Sequence, residues 1–176
     1  MRKNSRRGAT TIEMTLVGIP IIFTLISVFE ISRGMWMYNT ASHAVREGVR
    51  FAVVHGVDCV NNPPGVNNDC AQTAAQIAAV IQSDGVGLDP ATTQLTFRAP
   101  AGTGGFQCNL NGTQIGVGTA CSAVWPPNPF NARGTPVEII ITTPFRSALA
   151  MFWPGAHPQS FAQVNLWANS SDTVQF

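Results

Sequence analysis

The bond between Gly8 and Ala9 sits where hydrolysis would have a chemical consequence. Cutting there leaves a free ammonium on Ala9, four residues before the carboxylate of Glu13. An apolar segment follows at once, and a carboxylate at the edge of such a segment is costly unless it is solvated or paired. A neighbouring chain's new amine could supply that pairing as helices stack side by side, offsetting desolvation of both groups and fixing axial register. The plainer alternative is a Glu13 solvated among lipid headgroups.

The other reactive residues are sparse. Cys59, Cys70, Cys108 and Cys121 are even in number, form no C-x-x-C pair, and all lie beyond the apolar segment, which argues for disulfides over zinc. Of three possible pairings the sequence-local one, Cys59–Cys70 with Cys108–Cys121, closes two short Gly/Pro/Asn-rich loops and is favoured. His43, His55 and His157 are scattered with no acidic cluster beside them, so no metal ligands are expected. There is no G-x-S-x-G elbow, P-loop or H-E-x-x-H, and Gly102–Gly105 lacks the Lys-Ser/Thr of a phosphate cradle. No catalytic residue and no cofactor is expected. Trp125, Phe130, Phe152 and Trp153 near prolines could form an adhesive patch or, more ordinarily, pack turns.

The element that must position Ala9 and Glu13 is the stretch after them. Met14–Phe29 carries no charge, and counting from Ala9 gives 21 residues before Glu30, enough for a helix to cross a bilayer if Glu13 lies near one interface. Arg2, Lys3, Arg6 and Arg7 precede it and only Arg33 follows soon after, which puts the N-terminus in the cytoplasm. The bulk then lies outside, where disulfides persist. Pro20 removes a backbone donor, so a kink or local melt is expected there. A small-x-small cleavage site after Phe29 is missing, which speaks against a removable secretory signal.

Composition agrees. Only 11% of the 176 residues are charged, while Gly and Pro number 16 and 12, describing a loop-rich and weakly charged domain. The four leader cations account for much of the ten Lys and Arg, leaving six against nine Asp and Glu from Ala9 onward, so a nucleic-acid surface is not indicated.

From Ile31 the pattern is amphipathic. Ile31, Met35, Tyr38, Ala41, Val45, Val49 and Ala52 recur at three- and four-residue steps, with Arg33, Asn39, His43, Arg46, Glu47 and Arg50 on the other side. His43–Glu47 and Glu47–Arg50 stand at supportive helical spacing. One continuous helix is predicted from about Ile12 to Val54. A second helix is predicted over Ala71–Ser83 with the stripe Ala74, Ile77, Ala78, Ile81. Strands are predicted at Gln94–Arg98, at Val137–Thr143, whose three consecutive isoleucines imply burial on both faces, and at Phe161–Ala168. A small hairpin or a variable surface is expected within Pro100–Pro129, and a crossover loop at Phe145–Pro158.

A short basic leader ending in glycine, a glutamate fifth after it and an apolar helix resemble the class III signal of type IV prepilins and pseudopilins. Glu30, Arg33, Ala44, Arg46, Glu47, Gly48, Arg50 and Ala52 fill the E-x-x-R and A-x-R-E-G-x-R-x-A positions of the TadE-like proteins of the tight-adherence (Tad) pilus system, which the chain resembles from Arg6 to about Gly56. Ala9 stands where type IVa pilins commonly carry phenylalanine. The resemblance implies cleavage at Gly8–Ala9 by a prepilin peptidase and an assembly role for Glu13. It further implies a contact surface on Glu30, Arg33, Arg46, Glu47 and Arg50. Expected partners are other pilins or pseudopilins, Tad inner-membrane assembly proteins and membrane lipid, with no nucleic acid.

The expected organisation is α+β. A cytoplasmic leader (1–8), a transmembrane helix (9–30) and an amphipathic stalk helix (31–56) precede a head (57–176) built on a small, mainly antiparallel sheet with one further helix. A minor pilin or pseudopilin-like subunit of the inner membrane is the function this implies. The alternative is a signal-anchored periplasmic binding module that is neither cut nor polymerised.

Overall fold

The computed structural model describes residues 6–55, 72–116, 120–147 and 163–175, with side chains from Thr11 onward. Two helices and five strands follow in order: α1 (Arg6–Val53), α2 (Ala74–Asp84), β1 (Gln94–Arg98), β2 (Phe106–Asn109), β3 (Gln114–Ile115), β4 (Pro136–Arg146) and β5 (Gln163–Thr173). The architecture is α+β, as predicted. The chain divides into two compact units, one of Met1–Met35 with Arg146–Gln163 and one of Trp36–Phe145 with Val164–Phe176.

In the first unit the apolar part of α1 is a helix whose large side chains are mostly exposed. Leu16 is 74% exposed and Phe29 70%. The helix runs unbroken through Pro20, so the local melt expected there does not occur. The hydroxyls along this stretch are turned back on the helix itself. Thr15 donates to the carbonyls of Thr11 and Ile12, Thr24 to Pro20, Ser27 to Phe23 and Ser32 to Val28. Each polar group is thereby satisfied without water, as an apolar solvent requires.

The second unit is built on a five-stranded sheet in the order β3-β2-β1-β4-β5. The pairs β1–β2, β1–β4 and β2–β3 are antiparallel. Leu95 faces Cys108 on one side and Ile141 on the other, and Phe97 likewise faces Phe106 and Ile139. β4 alternates: Val137, Ile139, Ile141 and Thr143 are buried, whereas Glu138, Ile140 and Thr142 are half-buried. The isoleucine run is therefore covered fully on one face only, because the period-two pleat sends Ile140 the opposite way from its neighbours. The predicted hairpin is β2–β3. Its turn is closed by Asn111, whose side-chain oxygen accepts from the Thr113 N–H at 3.0 Å, and by Gly112 at φ +79°.

The inner sheet face joins α2 and the last turns of α1 in one core. The stripe Ala74, Ile77, Ala78 and Ile81 is fully buried, as its spacing predicts, although α2 starts at Ala74 and not Ala71. On the last turns of α1 the buried residues are Ala41, Ala44, Val45, Gly48, Val49, Ala52 and Val53. Ile31, Met35 and Tyr38, which continue the same periodicity in sequence, are exposed. Small residues Ala44, Gly48 and Ala52 recur every fourth position, and that flatness lets α2 approach. A Cβ built on Gly48 would lie 2.3 Å from Ile81 Cγ1 and 2.6 Å from Cδ1. The end of α1 is tied to the last strand's continuation, where the Gln175 N–H donates to the Val53 carbonyl at 2.9 Å.

The start of α2 is held twice. Thr73 and Gln76 form a reciprocal capping box. The Ala74 and Ala75 N–H groups donate to the carbonyls of Ala123 and Cys121, and the Trp125 N–H returns a bond to the Gln72 carbonyl. The loop doing this is anchored by the Cys108–Cys121 disulfide, with Cα atoms 6.0 Å apart. Trp125, a candidate for an adhesive patch in sequence, is instead 1% exposed and meets Phe97 edge-on at 5.2 Å. Cys59, Cys70, Phe152 and Trp153, and with them the expected Cys59–Cys70 pairing, lie outside the described residues.

Candidate functional site

Gly8 and Ala9 fall in the first turns of α1, with Glu13 one turn further along the same helix. Four helical residues rise about 6 Å, so Glu13 sits just above Ala9 on the same side of the helix. Its side chain is exposed, and so is every residue from Thr11 to Phe29 except the half-buried Gly18, Ile26 and Ser27. The apolar window within Thr11–Val53 has a mean hydropathy of 2.1 and none of it is buried. One N-terminal helix is thus long and apolar enough to cross a membrane, and it carries a carboxylate near its start.

The end of that span is marked by a different carboxylate. Glu30 is 7% exposed, with Oε1 at 3.5 Å from an Arg33 guanidinium nitrogen. The other guanidinium nitrogen donates to the Arg146 carbonyl at 2.6 Å. Oε2 of Glu30 is buried with no hydrogen-bond partner among the described residues. The E-x-x-R pair therefore makes its contacts within the chain, an i,i+3 ion pair closing the uncharged stretch.

The Arg-Glu-Gly-x-Arg block divides by face. Gly48 faces Ile81, a packing role its place in a charged block conceals. Glu47 and Arg50 pair with each other at 2.9 Å on the opposite, solvated side. Arg46 is exposed and has no ion pair or hydrogen bond among the described residues. Among the described residues the five side chains Glu30, Arg33, Arg46, Glu47 and Arg50 thus comprise two internal pairs and one cation without an ion partner.

One polar constellation has no signal in the sequence. Glu138 on β4 accepts from Arg98 on β1 at 3.3 Å, from the Gly102 N–H at 3.3 Å and from Asn169 on β5 at 3.2 Å. Burial pushes its carboxyl up, but the hydrogen bonds from Asn169, Gly102 and Arg98, with the Arg98 charge, outweigh that and leave it below its ordinary 4.5. The group ties three neighbouring strands together on the outer sheet face. Its donors lie 31 to 40 residues from Glu138, which is why no local pattern reveals them.

Among the described residues one apolar helix, joined in sequence to an α+β domain, is long enough to span a membrane, an arrangement consistent with a single-pass membrane protein. Residues 8–50 match the family of TadE-like proteins. The match begins at the glycine before Ala9 and ends at Arg50, so over this stretch the resemblance read from the E-x-x-R and R-E-G-x-R positions holds. No curated protein and no solved structure matches the chain.

Proposed function

We propose that the chain is a minor pilin- or pseudopilin-like subunit that supports assembly of a Tad-type pilus or secretion complex through its N-terminal helix. The observation that carries this reading is the TadE-like match over residues 8–50, on a helix whose apolar window is exposed among the described residues. Such a helix needs lipid before assembly and other apolar helices after it. The leader cations orient it with the N-terminus in the cytoplasm and the domain outside. A prepilin peptidase cuts between Gly8 and Ala9, and the ammonium released pairs with Glu13 of a neighbouring subunit. The pairing offsets the cost of holding that carboxylate in the apolar layer and sets the axial step between subunits. The role is structural, not catalytic.

Co-expression with and without a prepilin peptidase, followed by mass measurement of the N-terminus, tests the reading. Loss of Met1–Gly8 only with the peptidase is expected. Retention of the leader in both cases would overturn it in favour of an uncut, anchored interaction module. Glu13→Ala is expected to be cut normally yet to fail in assembly, measured as its share of the sheared or complex-bound fraction. Normal incorporation would make Glu13 an interfacial bystander.

A further inference from the structure

A groove of about 510 Å³ lies between α1 and β5, lined by Tyr38, Ser42 and Arg46 from the helix and by Asn165–Asn169 from the strand. All of these belong to the second unit. Three features single the groove out.

β5 is the last strand of the sheet, so among the described residues one of its two edges has no strand beside it. An eleven-residue edge of this kind presents a row of backbone donors and acceptors ready to pair with an extended chain. Next, the lengths agree. Tyr38, Ser42 and Arg46 stand at i, i+4 and i+8, a strip about 12 Å long, and Asn165–Asn169 extends about 13 Å. A short strand laid against β5 would therefore run the whole helical strip. Last, Arg46 has no partner among the described residues, although Glu47 beside it is already engaged by Arg50. The strip thus offers an aromatic ring, a hydroxyl and an uncompensated guanidinium in a line, with the half-buried Leu166 and the exposed Trp167 along the strand side.

We propose that this groove takes an extended peptide segment of a partner protein, added to the sheet beside β5, with an Asp or Glu side chain on Arg46. Backbone pairing supplies affinity in this mode, and alternate side chains in flanking pockets supply specificity. The guanidinium selects a carboxylate because a charge-assisted, two-pronged bond satisfies both groups at once. This reading concerns the domain and does not depend on cleavage at Gly8 or on pairing at Glu13.

The test is selection from a library of short random peptides on the full chain held in detergent, alongside the Arg46→Glu variant. Arg46 is exposed, so the variant is expected to keep the wild-type melting temperature and the Cys108–Cys121 bond. Wild-type protein is expected to enrich β-branched sequences with a central Asp or Glu, and Arg46→Glu to enrich Lys or Arg at that position. Arg46→Gln should bind the best wild-type peptide about tenfold more weakly. Methylating alternate backbone nitrogens of that peptide should abolish binding. Identical pools from wild type and Arg46→Glu, no enrichment, or full binding by the methylated peptide would each overturn the proposal. So would an acidic oligosaccharide that binds wild type but not Arg46→Glu while no peptide is enriched.

Discussion

The apolar and the packed parts of α1 obey the same helical geometry and solve opposite problems. Between Thr11 and Phe29 the helix carries large side chains in every direction, and they are uncovered. Between Ala41 and Val53 the buried apolar residues are alanines and valines on one face, with the larger Phe51 half-buried beside them. Size explains the difference. Ala44, Gly48 and Ala52 leave a flat surface that Ile77 and Ile81 of α2 fill, so this part finds its partner inside the chain. Among the described residues nothing lies within 4 Å of a Cβ built on Gly18, so this part has no such neighbour among them. A helix hydrophobic all round needs an apolar solvent, whereas a helix with one narrow stripe needs one neighbour.

The comparison breaks most sharply at its two glycines. Gly48→Leu drives a branched side chain into Ile81, where even a Cβ has no room, and should cost 3 kcal/mol or so, the upper end of overpacking penalties. Thermal unfolding of the full chain in detergent would show a large drop or no cooperative transition. Gly18→Leu should leave the same transition unmoved. Equal effects at both positions would show that the apolar half is packed in solution as the other half is.

A smaller effect is expected from the staple behind α2. Cys108→Ser with Cys121→Ser should lower stability by about 3 kcal/mol, the loop-closure value for a crosslink of this span. Because Cys121 and Ala123 carbonyls receive the first N–H groups of α2, hydrogen exchange at Ala74 and Ala75 should speed up most. Unchanged exchange there would separate the crosslink from the cap.

The smallest effect is electrostatic and belongs to the outer sheet face alone. Glu138 titrates below 4.5 when folded, so the unfolded chain takes up its proton first. Its contribution is complete above that value and is lost as pH falls through the lowered one. Stability measured from neutral pH downward should therefore fall more steeply below about pH 4.5 in the native protein than in Glu138→Gln. Parallel profiles would show that the three-strand tie adds nothing.

Much of this was legible in the residues. The stripe Ala74, Ile77, Ala78, Ile81 reads directly as a buried helix face, and Gln94–Arg98 as a strand, because each period reports local geometry. The uncharged run to Phe29 reads equally well, since its composition alone decides which solvent it requires. The local pairing of Cys108 with Cys121 was readable from their spacing. Other features were not. Gly48 sits in a block of charges and looks like part of a solvated face, yet it is where two helices meet. Ile31, Met35 and Tyr38 share the periodicity of the buried stripe but not its burial.

The sequence by itself determined what depends on neighbours along the chain: the apolar span and its basic lead, the two helices, the strand at Gln94–Arg98 and the carboxylate one turn from Ala9. Only the tertiary structure decided which small residue carries helix contact, which loop caps α2, and which ions find partners. Glu138 meets Arg98 and Asn169 across three strands, while Arg46 beside a paired Glu47 meets no ion partner among the described residues. Those outcomes turn on distances in space between residues far apart in the chain, and no periodicity encodes them.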